Sequence, residues 1–280
     1  MAPVVLALLL LLALVAGLTA WRLADRRADE RAWASLRPEA GAAPARFDPA
    51  TVSGLPDPAR RYFLHVIQPG TPLAGAAEIR MTGWIGLGNK ADPRYVPMRA
   101  HQILAGPNGF VWKVRAGSGL SGMTGSDGYA DGRGWTRFWI AGLAPVVRAG
   151  GTEDFARSAA GRAIAESVFW TPAALLPSPE VVWTPVDADT ARATVRHRGH
   201  DHVLDLTVAE DGRPVSVLIQ RWSRENPQKV WRLQPFGGTI KQTRRFGGYV
   251  LATEVEGGNG FGTDSYFPFF KAKVEDVRLP

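Results

Sequence analysis

The chain has 280 residues, of which 45% are hydrophobic and 21% charged, a composition that supports a packed core and excludes wholesale disorder. It contains no cysteine, so disulfides, a thiol nucleophile, thiolate metal sites and lipid attachment through cysteine are excluded. The formal charge of +7 does not describe a nucleic-acid surface, because the arginines are scattered and only three pairs are adjacent, Arg26 with Arg27, Arg60 with Arg61 and Arg244 with Arg245.

From Ala2 to Trp21 no residue is charged, and Val4 to Ala16 is almost entirely Leu, Ala and Val. About 20 helical residues cover the roughly 30 Å of a bilayer's hydrocarbon core, so residues 1–21 read as a single-pass transmembrane anchor in the cytoplasmic membrane. A cleaved signal peptide fits less well, because no Lys or Arg precedes the run and Leu18-Thr19-Ala20 is a poor cleavage site. Arg22, Arg26, Arg27 and Arg31 favour keeping the following flank in the cytoplasm by the positive-inside rule, and the side of the membrane is left open. Residues 22–50 read as a short charged helix running into an Ala/Pro-rich linker that ends at Ala43 and Pro44, and residues 51–280 as one antiparallel β domain.

Leu55-Pro56-Asp57-Pro58 opens a helix through Val66, with Asp57 as expected N-cap and Tyr62, Phe63 and Val66 on one face. Ile79 and Met81, then Phe110, Trp112 and Val114, recur with the period of two of a strand that buries one face. Ser126-Asp127-Gly128 and Asp131-Gly132 look like hairpin turns ahead of a segment from Trp135 to Leu143. Thr152 caps a helix whose apolar positions Phe155, Ala159, Ala160, Ile164 and Val168 recur every three or four residues, ending near Thr171-Pro172. Ala191/Ala193/Val195, Leu204/Leu206/Val208 and Val215/Val217/Ile219 then form a meander, and three more strands reach Arg278. Gly257 to Gly262 reads as a flexible bend. The fold class is therefore mainly β (α+β): an N-terminal transmembrane helix followed by a large curved antiparallel sheet or half-barrel with a few packed helices.

The run Ala163 to Leu176, AIAESVFWTPAALL, with Val182-Trp183-Thr184-Pro185-Val186-Asp187 and Thr190 to Thr194 after it, resembles the signature of an uncharacterised bacterial family of membrane-anchored β-rich proteins. That likeness covers residues 50–280 and implies no chemistry. The succession of hairpins and helices also resembles, in topology, the LolA-like lipoprotein-carrier half-barrel, which implies an extracytoplasmic domain and an apolar ligand; a shared fold does not fix a function.

Three motifs carry candidate chemistry. His197, His200 and His202 lie around a Gly199 turn and have the donor type for zinc, but a polar hairpin tip explains them equally, and no metal site is assigned. Gly86-Leu87-Gly88-Asn89-Lys90-Ala91 has the spacing of a dinucleotide fingerprint, yet Asp92-Pro93 follows where a helix must start, so no cofactor is expected. Asp127 and Asp131 lack the alternating ligands and final Glu of a calcium loop.

Eight of the ten tryptophans lie in the β domain and can both fill the core and line an apolar cavity. The expected function is a membrane-anchored β domain that binds a lipid or other apolar ligand, with Trp112, Trp139 and Trp170 as its lining, the bilayer as partner and no nucleic acid. The alternatives are a hydrolase with dispersed catalytic residues, which needs a Ser or Asp beside His65 or His101, and a structural or envelope-interaction protein with a filled core and no ligand.

Overall fold

A computed structural model describes residues 2–38 and 45–280. Met1 and the stretch 39–44 of the expected linker lie outside the described residues. The first helix, α1 (Ala2–Ser35), is one unbroken helix long and apolar enough to cross a membrane. In its apolar part leucines 6 to 14 are about half or more exposed. The charged segment expected as a separate short helix is the continuation of α1, and there Trp33 and Leu36 are buried against the sheet.

Helix α2 (Asp57–Val66) buries Tyr62, Phe63 and Val66 on one face, as their spacing predicts, at roughly 2 kcal/mol for each side chain removed from water. Its cap position is Pro56 rather than Asp57, because the Asp57 carboxylate is drawn to Arg60 and Arg61 one turn on.

Thirteen antiparallel strands follow in one sheet. They are β1 (Ala77–Gly86), β2 (Tyr95–Ala105), β3 (Gly109–Ala116), β4 (Met123–Ala130), β5 (Arg133–Ile140) and β6 (Ala144–Gly150), then, beyond α3 (Glu153–Trp170), β7 (Val181–Pro185), β8 (Thr190–His197), β9 (His200–Val208), β10 (Pro214–Ser223), β11 (Arg232–Phe246), β12 (Tyr249–Asn259) and β13 (Phe267–Arg278). The spatial order is β6-β5-β4-β3-β2-β1-β13-β12-β11-β10-β9-β8-β7. The chain thus winds from the middle to one edge, crosses on α3 to the other edge, and winds back until β13 pairs with β1.

Curvature follows from what α3 touches. It packs on both β5 and β10, which stand eight places apart in the strand order. Laid flat, eight strand spacings of about 4.8 Å put those strands some 38 Å apart, several times the diameter of a helix. Only a sheet folded around α3 brings both within reach, so α3 lies in the hollow of an open, curved half-barrel. Thr152 caps it by accepting the Phe155 N–H, and of the predicted apolar positions Ala159, Ala160, Ile164 and Val168 are buried while Phe155 is half-buried.

The alternation on β8, β9 and β10 holds, with Ala191, Ala193, Val195, Leu204, Leu206, Val208, Val217 and Ile219 all buried; Val215 alone of the expected set is half-buried, at the register shift between Pro214 and Ser216. On β3, in contrast, both faces are covered: Phe110, Trp112 and Val114 look toward α3, while Val111 joins Trp33 and Leu36 beneath α1.

Two expected turns are strand. Ser126-Asp127-Gly128 lies inside β4, because Gly128 gives the Trp135 ring the space that any Cβ would occupy. The hairpin turn is Asp131-Gly132, both with positive φ, +50° and +73°. Gly257 and Gly258 likewise belong to β12, where they pair with Gly238 and Gly237, and the chain turns only at Gly260.

Candidate functional site

The hollow between α3 and the sheet is not completely filled. A cavity of about 150 Å³ remains, walled by Trp112 of β3, Phe169 and Trp170 of α3, Val217 of β10 and Phe270 of β13. Residues 162, 165, 166 and 169 of α3 share one stripe and all face it. Trp112 and Trp170, two of the three tryptophans expected to line a ligand site, are therefore brought together there. Trp170 is 1% exposed and donates its indole N–H to the Ala252 carbonyl at 3.1 Å. Trp112 sets its ring edge-on to Phe270 at 6.2 Å, and its buried indole N–H has no acceptor among the described residues.

Trp139 stands elsewhere, on the opposite face of the sheet. It meets Trp21 edge-on at 5.6 Å and donates to the Asp25 carboxylate at 3.1 Å. Asp25 also takes a bidentate pair from Arg148, at 2.6 and 2.9 Å, so Trp139 belongs to the seat of α1 on the sheet. Burial works to raise the Asp25 carboxyl, but the Arg148 guanidinium outweighs it and holds the group below its ordinary value. One turn on, burial pushes the Asp29 carboxyl up despite its hydrogen bond from Ser126.

One side of the cavity is charged. Arg162 of α3 pairs with Asp127 and with Glu166, the latter at 2.6 Å, and lies over the Phe110 ring at 4.4 Å. Gln102 donates to the other Glu166 oxygen at 2.6 Å, and Thr136 donates to Asp127 at 2.9 Å. Burial opposes the Arg162 charge, but Glu166 and Asp127 outweigh it and raise its pKa. Arg221 of β10 is different. It donates to the Ser158 carbonyl at 3.0 Å and lies over Phe236 at 4.7 Å, yet among the described residues no carboxylate stands within 4.0 Å of it. Burial, then the neighbouring Arg162, pull its pKa down to about 10.

Sequence reading names Asp127 as part of a hairpin turn and as a failed calcium ligand, and passes over Arg162 and Arg221. The available signal was Arg162 with Glu166, an ion pair at i, i+4 spacing on the sheet-facing stripe of an otherwise Ala-rich helix.

The histidines are dispersed. His197 and His200 pair across β8 and β9, with the turn at Arg198-Gly199, but His197 bonds the Tyr129 hydroxyl at 2.9 Å while His200 reaches Glu153 at 3.3 Å. His202 is 4% exposed under α3, its Nε2 without a partner among the described residues, and burial followed by the charges of His197 and Arg157 lowers its pKa to about 4. Among the described residues no group of three His, Asp or Glu is placed to hold a metal ion. His65 bonds the backbone carbonyl of Asp211 at 3.0 Å, and His101 packs at a tilt against Trp33, ring centres 4.5 Å apart; among the described residues neither has a hydrogen bond to a Ser hydroxyl or an Asp carboxylate. The Gly86–Ala91 motif forms the β1–β2 loop, folded around an Asn89 side chain that accepts from the Ala91 and Asp92 backbone N–H groups.

These features define a mainly β protein with an open antiparallel half-barrel, a helix in its hollow and an apolar N-terminal helix. The chain belongs to the family of unknown function DUF6544, whose model matches residues 45–272. No curated protein matches it. The solved structures to which it is similar include the following two. One is a putative outer membrane lipoprotein-sorting protein domain from Vibrio parahaemolyticus, 11% identical over 73% of this chain and 85% of that one, with a TM-score of 0.36. The other is a DUF1329 family protein from Desulfovibrio piger ATCC 29098, 9% identical over 74% and 86%, with a TM-score of 0.41.

Proposed function

We propose that this chain is a membrane-tethered binding module that holds a lipid, or another apolar molecule, in the hollow between α3 and the sheet. The observation that carries the reading is the cavity itself, about 150 Å³ with aromatic walls including Trp112 and Trp170. A cavity of that size accepts a benzene-sized group, and a longer chain enters by α3 moving away from the sheet.

Two polar groups on the wall narrow the choice of ligand. The Trp112 N–H lacks an acceptor, at a cost of about 1–3 kcal/mol, and Arg221 lacks a carboxylate within 4.0 Å among the described residues. Both are offset by a ligand that brings an oxygen acceptor along with its apolar body, as the carboxylate or ester end of an acyl chain does. The helix α1 supplies the tether, and the bilayer is then both anchor and source of ligand.

Ala165 is 2% exposed and faces the cavity, so Ala165→Leu fills it with little change to the helix. Native mass spectrometry on the full chain released from detergent is expected to find one apolar molecule bound to the wild type and none on Ala165→Leu. Equal occupancy of the two proteins, or an empty wild type from every expression host, contradicts the proposal.

A further inference from the structure

On the other face of the sheet a groove of about 680 Å³ runs between the charged end of α1 and strands β2, β3 and β4. The strand register sets Arg99 directly opposite Arg115 on this face. Like charges in that position destabilise a sheet. Instead of relieving them, α1 adds Arg22 and Arg26 to the same groove. Burial, followed by the charges of Arg26 and Arg115, lowers the Arg22 pKa, which places the three guanidinium groups within one another's field.

The acids of α1 in this groove are already matched. Asp25 is held by Arg148, Asp29 by Ser126 and Arg137, and Glu30 by Lys113. Among the described residues the Glu275 carboxylate makes no ion pair, and Arg22, Arg26, Arg99 and Arg115 have no carboxylate within 4.0 Å. Arg22 is fixed in place by the Gly142 carbonyl at 2.8 Å and the Thr124 hydroxyl at 3.2 Å. Arg22, held in place, and the exposed Arg26, Arg99 and Arg115 around it make a cationic groove suited to an anion.

The position of the groove along α1 says which anion. The uncharged run ends at Trp21, and Arg22 is the next residue. With about 20 residues covering the hydrocarbon core, Arg22 and Arg26 stand at the level of the lipid phosphates. We propose that the Arg22, Arg26, Arg99 and Arg115 groove binds the phosphate of an anionic phospholipid headgroup, fixing the β domain against the bilayer surface. The inference rests on α1 lying in a membrane and is independent of the cavity beneath α3.

The test uses the full chain in nanodiscs of phosphatidylcholine alone or mixed with phosphatidylglycerol, with native mass spectrometry of the lipid retained on release. Wild type is expected to retain phosphatidylglycerol selectively. Arg99→Gln with Arg115→Gln is expected to lose that preference by about twenty-five-fold, at about five-fold for each arginine, with an unchanged or higher melting temperature. Arg26→Gln, at an exposed helix position that cannot unfold the sheet, loses about five-fold. Equal retention of the two lipids by wild type, or an unchanged preference in these variants, overturns the proposal. So does inorganic phosphate that raises the melting temperature of the protein in phosphatidylcholine discs as much as phosphatidylglycerol does, because the ligand is then free phosphate. Ala165→Leu leaves the preference intact, which separates failure here from failure of the apolar site.

Discussion

Acid is expected to destabilise this protein through one buried imidazole. His202 is 4% exposed, and burial beneath α3 with the charges of His197 and Arg157 brings its pKa from 6.5 to about 4. The folded state therefore holds it neutral where the unfolded chain protonates it. Its contribution is fully present above about pH 6.5 and is lost as pH falls toward about 4, because the unfolded state binds more protons across that window. The loss at about pH 5 is roughly 2 kcal/mol, rising to about 3 kcal/mol below pH 4. His202→Gln keeps a neutral polar side chain of similar reach and removes the titration. Urea unfolding of the full chain in detergent, at neutral pH and at about pH 5, gives the difference. Wild type is expected to lose about 2 kcal/mol more than His202→Gln on acidification. Losses that agree within about 0.5 kcal/mol refute the reasoning.

Asp25 clamps α1 to the sheet through Arg148 and Trp139, and charge-assisted hydrogen bonds contribute about 1.5–3 kcal/mol each. Asp25→Ala is expected to speed amide exchange in residues 26–35 about ten- to a hundred-fold while leaving β8 to β10 protected; unchanged exchange in α1 contradicts the clamp. Trp170→Ala removes a fully buried indole and its bond to Ala252, and is expected to cost about 3–5 kcal/mol in the same urea assay, with a loss below 1 kcal/mol contradicting its packing.

How much of this was legible in the sequence depends on whether a residue's neighbours are local. The meander from Ala191 to Ile219 and the helix from Thr152 could be read directly, because one face of each is buried and the period shows it. Gly128 and Gly258 read as turns because a strand glycine is required by a distant group, the Trp135 ring in one case and the Phe267 backbone in the other. Trp112 and Trp139 looked equivalent as alternating strand tryptophans. Their faces differ only through register, since Trp139 aligns with Thr124 and falls on the α1 side. The Arg162 network was hidden for the same reason: Asp127 lies 35 residues from Arg162, and Gln102 lies 64 from Glu166. Scattered arginines at 22, 26, 99 and 115 become a cluster only once α1 lies across β2 and β3.

The central claim is that an apolar molecule occupies the hollow beneath α3, and photo-crosslinking with a fatty acid bearing a diazirine on its acyl chain tests it most directly. The full chain is labelled in detergent and the modified residues are mapped by peptide mass spectrometry. Label on Trp112, Phe169, Trp170 and Phe270, lost in Ala165→Leu, is the predicted result. Label confined to the apolar part of α1, with none on those four side chains, contradicts the account.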